Sequence, residues 1–341
     1  MTEGVNRQFL LAARPEGLIK ESDFKYNEAE IPTPGDGEVL VRNLIVGVEP
    51  ALRGQMEGLT NYTTGLQLGE VMRAGGAGEV VASNNPDFKV GEMVQGMFGF
   101  QDYACMTGDG MMPLSKIPEG TPLEAALYVF GGTGFTAYYG MVEIGMPKQG
   151  DAVLVSGAAG AVGSLAGQIA RIKGATNVVG IAGSDEKCKW LVDEMGFTGA
   201  INYKTDDIDA RVKELMPDGC DVFFDNVGGE ILDIALDNLA MNARVVICGG
   251  ISRYEDREGA AGPKNYFSLV YKRARMEGFI IIDNLHRAAE FTEVLAGWIN
   301  DGSLKYKVDV LEGFENLPQG LINLFTGGNI GKQLIRIADP S

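Results

Sequence analysis

The sequence predicts an α/β chain in two parts, a doubly wound parallel sheet and a smaller β domain completed by the C-terminal tail. Three observations carry this reading. Residues 151–173, DAVLVSGAAGAVGSLAGQIARIK, pass from an apolar strand through a glycine-rich turn into a helical pattern, with Val162, Leu165, Ala166, Ile169 and Ile172 spaced at threes and fours. From there to about residue 282, short apolar runs alternate with helical stretches. Before residue 121 and after 303, strand-like runs lie close together between Gly, Pro and Asn clusters.

The first part opens with a strand at Gln8-Phe9-Leu10-Leu11 and a turn-rich segment from Ile31 to Glu38. A longer strand pair is expected over 39–48, with further strands at 78–81 and 93–96. Strands so short and so closely spaced suit a small barrel or sandwich. Helices follow at Pro122–Leu127 and Thr133–Tyr139. In the central part, strands are expected at 178–182, 200–202, 221–225 and 244–248, with helices at 185–195, 208–215 and 230–239. The polar, glycine-rich segment 252–264 reads as a mobile surface loop. A strand at Gly278–Ile282 precedes a helix from His286 to Asn300. The tail, 303–338, returns to short strands ending at Lys332–Ile337 and is expected to pair back into the first part. The domains are therefore 1–124 with 303–341, and 125–302.

Composition narrows the function classes. A chain of 341 residues can bury two cores, and 45% hydrophobic with 22% charged residues is ordinary for a globular protein. The net charge of −17 argues against nucleic acid or an anionic membrane as the main partner. No run approaches the roughly 20 apolar residues of a membrane span, and the N-terminus lacks a signal-peptide pattern. Cys105, Cys188, Cys220 and Cys248 are scattered without disulfide or metal spacing, which fits the cytoplasm.

Strand, glycine turn and helix, in that order, are what a dinucleotide pyrophosphate requires. The turn is tight, the backbone approaches the phosphates closely, and the helix offers its first N–H groups. Gly157, Gly160 and Gly163 stand in that context. An NAD-selective fold places a carboxylate at the end of its second strand; here that position is Gly183, followed by Ser184 and Lys187. The missing acid and the nearby lysine favour a 2′-phosphate, hence NADP(H), although a solvated helix lysine is the plainer reading of Lys187 alone.

Seven segments then occur in order over most of the chain: 153–163 (VLVSGAAGAVG), 183–187 (GSDEK), 202–204 (NYK), 224–229 (FDNVGG), 248–254 (CGGISRY), 275–279 (RMEGF) and 329–332 (NIGK). Together they resemble the zinc-free branch of the medium-chain dehydrogenase/reductases. That branch holds the prostaglandin reductases (leukotriene B4 12-hydroxydehydrogenases), the NADP-dependent alkenal double-bond reductases and the curcumin reductases. The resemblance implies a Rossmann domain beside a GroES-like β-barrel domain. It implies pyrophosphate contacts at Gly160, Ala161, Val162 and Gly163, and 2′-phosphate contacts at Lys187 and Tyr203. Further cofactor contacts are implied at Asn226, at Cys248, Gly249, Gly250, Ile251, Ser252 and Tyr254, at the backbone of Phe279, Ile280 and Ile281, and at Asn329. Gly327-Gly328-Asn329 is also a good turn sequence.

Zinc-dependent relatives need Cys and His ligands. This chain has one histidine, His286, which reads as a helix-start residue, so no metal is expected. Reducing a C=C conjugated to a carbonyl needs less help from a Lewis acid than oxidising an alcohol: hydride reaches the β-carbon, and a hydrogen-bond donor can stabilise the enolate. Tyr271, four residues before Arg275, matches the family's active-site tyrosine, though it also reads as a packing residue beside Tyr266 and Phe267. Relatives often carry Asp-Pro-Tyr-Met-Arg where this chain has Glu49-Pro50-Ala51-Leu52-Arg53. The resemblance puts Ala51 and Arg53 in the substrate pocket, and the lost tyrosine suggests a wider site. Met106–Met112 is a further candidate lining. The expected activity is NADPH-dependent reduction of enones, enals or 15-oxoprostaglandin-like substrates. A zinc-free quinone reductase, a secondary alcohol dehydrogenase and a nucleotide-binding protein without turnover remain alternatives. A homodimer is expected, pairing through the run Phe279–Ile282.

Overall fold

The computed structural model describes residues 4–58, 64–109, 113–254 and 262–340. Residues 255–261 of the expected surface loop and 110–112 of the Met-rich stretch lie outside the described residues. The chain divides into two compact units, Met1–Tyr128 with Val308–Ser341, and Val129–Lys307.

In the first unit, β1 (Val5–Leu11) and β2 (Phe24–Glu30) form an antiparallel hairpin. The central strand is β3 (Glu38–Gly47), whose apolar run is buried along most of its length. It is one strand rather than a pair. Register shifts at Leu40/Val41 and Asn43/Ile45 bend it in the way bulges do. The helix α1 (Ala51–Met56) follows, then β4 (Gly75–Ser83), β5 (Met93–Gly96), β6 (Tyr103–Thr107), β7 (Ser115–Lys116) and α2 (Leu123–Leu127). β3 pairs antiparallel with both β4 and β6.

The second unit begins with α3 (Gly132–Tyr139), which continues as a π-helix over Gly140–Gly145. β8 (Ala152–Val155) and α4 (Ala161–Ile172) flank the glycine turn. Then come β9 (Asn177–Ala182), α5 (Asp185–Asp193), β10 (Gly199–Asn202), α6 (Ile208–Leu215), β11 (Cys220–Asp225), α7 (Gly229–Asp237) and β12 (Leu239–Ile247). The unit closes with α8 (Ser268–Lys272), β13 (Arg275–Gly278) and α9 (Ala288–Asn300). All six strands are parallel, in the order β10-β9-β8-β11-β12-β13. This is a Rossmann sheet, with its reversal of strand order between β8 and β11. Leu154, Val179, Ile201, Phe223 and Val245 bring one residue from each of five strands into a single core against Val212, Leu232 and Leu236.

The run Phe279–Ile282 is not a strand. β12 ends at Ile247, so Gly278 is the last residue with a partner, and Ile281–Arg287 winds into a 3-10 turn that includes His286. The Phe279 ring turns inward instead, 5.4 Å from Tyr139 and over the bare α-carbon of Gly140.

The tail returns to the first unit as β14 (Val308–Glu312), α10 (Leu317–Thr326) and β15 (Lys332–Arg336). β15 pairs antiparallel with β3 and parallel with β14. Phe314, Leu321 and Ile335 from the tail share a core with Leu11, Val46, Leu66 and Phe100. The strand-only expectation for the tail misses α10, which has Pro at its first turn and ends on left-handed Gly327.

Candidate active site

A parallel sheet aims its strand carboxyl ends at one edge, and the loops leaving that edge form the crevice where ligands bind. Gly157–Gly163 follows β8, Gly183 and Lys187 follow β9, Tyr203 follows β10, Asn226 follows β11, Cys248–Tyr254 follow β12 and Phe279–Ile281 follow β13. Topology therefore gathers, at one edge, residues spread over more than a hundred positions of sequence.

Each glycine of the turn has its own reason. Gly157 holds φ +57°, the left-handed region that favours glycine. A β-carbon on Gly163 would sit 2.4 Å from the Gly157 oxygen, so only glycine lets α4 close onto the turn. Gly160 is the N-cap of α4, and no side chain caps that helix end. Helix N-termini that follow a glycine turn bind phosphate through backbone N–H groups and the positive dipole end.

At the end of β9, Ser184 caps α5, its hydroxyl accepting from the Lys187 N–H at 3.3 Å. Lys187 thus stands in the first turn of α5. The Tyr203 ring covers Gly183, where a β-carbon would lie 3.0 Å from the ring and its hydroxyl. Lys204 stands 6.0 Å from that ring's centre. An exposed tyrosine with Lys204 beside it, and Lys187 in the first turn of the helix after Gly183, can hold a phosphate monoester where position 183 carries no carboxylate.

The loops after β8, β11 and β12 are tied together. The Asn226 amide donates to the Ser156 carbonyl at 2.7 Å, and its backbone N–H donates to the Ser156 hydroxyl at 2.8 Å. The N–H groups of Ile251 and Ser252 donate to the carbonyls of Asn226 and Val227. Ser156 and Asp225, both buried, sit within this network. Sequence reading missed them: Asp225 looked like a strand end, and only the folded loops reveal its donors.

Tyr271 precedes β13 rather than following a strand. It lies on the short helix α8 and is 67% exposed, with the Phe267 ring 5.9 Å away. Arg275, four residues on, caps a helix instead of lining a site: it donates to the Ile144 carbonyl at 2.6 Å. Its neighbour across the β12–β13 pairing, Arg244, donates to the Gly145 and Met146 carbonyls at 2.9 and 3.0 Å and pairs with Asp151.

Ala51, Arg53 and Asn329 belong to the first unit. Ala51 starts α1 behind Pro50. Arg53 is fully buried, paired with Glu57 and donating to the carbonyls of Pro15 and Gly17, so its guanidinium secures the 15–17 turn against α1. Asn329 is buried and donates to the Gly331 carbonyl at 3.0 Å. Lys332, also buried, donates to the Val48 carbonyl and the Glu49 carboxylate, and so braces the segment leading into α1.

Among the described residues, no group of three or more His, Cys, Asp or Glu side chains is arranged to hold a metal ion. No helix among them is long and apolar enough to cross a membrane.

Comparison with known proteins follows the same division. Residues 7–114 match a family model described as the N-terminal domain of oxidoreductase, and 161–299 match one described as zinc-binding dehydrogenase. The NADPH-dependent curcumin reductase of Escherichia coli is 37% identical over 98% of this chain and 97% of its own. The NADP(+)-dependent 2-alkenal reductase of Nicotiana tabacum is 38% identical over 98% of each. The crystal structure of CurA from Vibrio vulnificus in complex with NADPH superposes with a TM-score of 0.91 at 39% identity, covering 98% of this chain and all of that one.

Proposed function

The chain belongs to the zinc-free branch of the medium-chain dehydrogenase/reductase family, and we propose that it uses NADPH to reduce the C=C bond of α,β-unsaturated ketones and aldehydes. The observation that carries the cofactor is the carboxyl edge of the sheet, with the glycine turn at the α4 N-terminus after β8, Lys187 in the first turn of α5 after β9 and the Tyr203 ring over Gly183. Full-length likeness to proteins named curcumin reductase and 2-alkenal reductase supports the substrate class. With one histidine in the chain, the donor set does not fit a catalytic zinc.

In this reading, Gly160–Gly163 hold the pyrophosphate through backbone N–H groups, and Lys187 with Tyr203 hold the 2′-phosphate. Asn226, Cys248–Tyr254 and the backbone of Phe279–Ile281 complete the cofactor contacts from this unit. NADPH, when bound, supplies the hydride. The protein orients the enone and stabilises the negative charge that develops on its carbonyl oxygen. The Tyr271 hydroxyl is the donor: exposed on α8, it can hold a proton at Oη against that oxygen. Ala51 leaves room in the substrate pocket, while Arg53 acts through the 15–17 turn. The working form is a homodimer, supported by β13, a sheet-edge strand whose four residues are all exposed. A cytoplasmic setting is supported by four cysteines without a disulfide.

Following NADPH absorbance against a panel of enones, enals, quinones and simple ketones tests the activity. Turnover confined to conjugated C=C substrates is the expected result. Turnover of quinones or ketones alone would replace the reading with one of the alternatives, and no turnover at all would point to a binding protein. In the same assay Tyr271→Phe should lower kcat by roughly 10²-fold or more while NADPH still binds.

A further inference from the structure

Asp225 ends β11 with 1% of its surface exposed. A buried carboxylate is costly to keep unless donors compensate it. Here the recorded donors are neutral: the Ser156 hydroxyl at 2.7 Å, the Val227 N–H at 3.0 Å and the Gly228 N–H at 3.0 and 3.1 Å from its two oxygens. Burial keeps its pKa above the ordinary carboxylate value, with these donors pulling it back. Its own carbonyl accepts from the N–H groups of Cys248 and Gly249 at 2.9 and 3.0 Å. One residue thus touches the loop after β8, the loop after β11 and the loop after β12.

Sheet formation does not require this. Phe223 and Phe224, the preceding residues of β11, are buried and apolar, and an apolar residue at 225 would continue the core. What a carboxylate adds is direction. It draws two successive N–H groups inward ahead of the left-handed pair Gly228 and Gly229, and it orients a serine hydroxyl that in turn accepts from the Asn226 N–H. Without it, all three loops lose a common reference point.

We propose that Asp225, acting with Ser156, is a positioning residue for NADPH: it pre-sets the three loops that receive the dinucleotide without itself touching it. The inference rests on the reading of this sheet edge as the cofactor site. Preorganisation of this kind appears as affinity, because the loops need not be ordered on binding.

Ser156→Ala and Asp225→Asn test it, with Ser156→Thr as the variant that restores the hydroxyl. The measurements are NADPH Kd by fluorescence titration, KM for NADPH and for an enone, kcat and thermal midpoint. Ser156→Ala should raise Kd and KM for NADPH roughly ten-fold, leave the enone KM within about two-fold, and be reversed in large part by Ser156→Thr. Asp225→Asn should act in the same direction and more strongly; should it not fold, Ser156→Ala decides. Folded variants with a lowered thermal midpoint but unchanged NADPH affinity would overturn the proposal, since a purely structural role predicts that. Lys187→Glu separates the two levels. If it weakens NADPH but not NADH while the Ser156 and Asp225 variants bind normally, only the positioning role fails. If it affects neither dinucleotide, the site reading fails and the proposal falls with it.

Discussion

A β-carbon on Gly183 would meet the Tyr203 ring at 3.0 Å, so the carboxylate that an NAD-selective fold carries there would have to displace this half-exposed ring. Cysteine chemistry is the second feature at this scale. Burial pushes the Cys220 and Cys248 thiols up to about 12. Burial, with Asp206 and Asp185 nearby, raises Cys188 to about 11, and burial with Glu38 raises Cys105. Conjugated enals add to thiolates rather than thiols, so an enzyme handling them gains from thiols that stay protonated. An ordinary thiol near 8.5 is about one-quarter ionised at pH 8, whereas a thiol near 11 is ionised to only about 0.1%. Native protein at pH 8 should therefore react slowly with Ellman's reagent, and all four thiols should react rapidly once unfolded. Fast labelling of the native enzyme would contradict this.

At the scale of elements, the π-helix 140–145 ends on left-handed Met146, and two arginines from adjacent strands satisfy its last carbonyls. Arg244 is buried and also neutralises Asp151, whereas Arg275 is exposed. Arg244→Ala should lower unfolding free energy by on the order of 3 kcal/mol, because it strands a mostly buried carboxylate and unpaired carbonyls. Arg275→Ala should cost about 1 kcal/mol or less by the same denaturant titration. Equal effects would mean that burial is not what separates them. The central strands and helices were legible in sequence because each carries its own period: α6 spans Ile208–Leu215, as expected. α10 was harder to read. Its apolar residues lie among short strand-like runs, and its stop signal, Gly327-Gly328, also reads as a plain turn. The strand at 279–282 failed for a tertiary reason: strand propensity there has no neighbour beyond Ile247.

At the scale of the whole molecule, β13 has no partner on its outer side among the described residues, and Val270, Met276 and Ile280 around it are exposed. Unprotected apolar edges pair with another chain or are covered. Light scattering should give twice the chain mass of 36.5 kDa, and Met276→Lys should shift the population toward monomer. A wild-type monomer would remove the dimer from the proposed function. The sequence by itself determined the α/β class, the order of strand, glycine turn and helix, the absent carboxylate at 183 and a donor set too poor for zinc. Those are local properties, readable because period, turn chemistry and residue type act over a few positions. Tertiary structure alone decided which loops share an edge, that Arg53 and Arg275 secure backbone, that β13 stops at Gly278, and that Asp225 lies beneath three loops. Those facts depend on partners distant in sequence, and no local pattern encodes a hydrogen bond from Ser156 to Asp225.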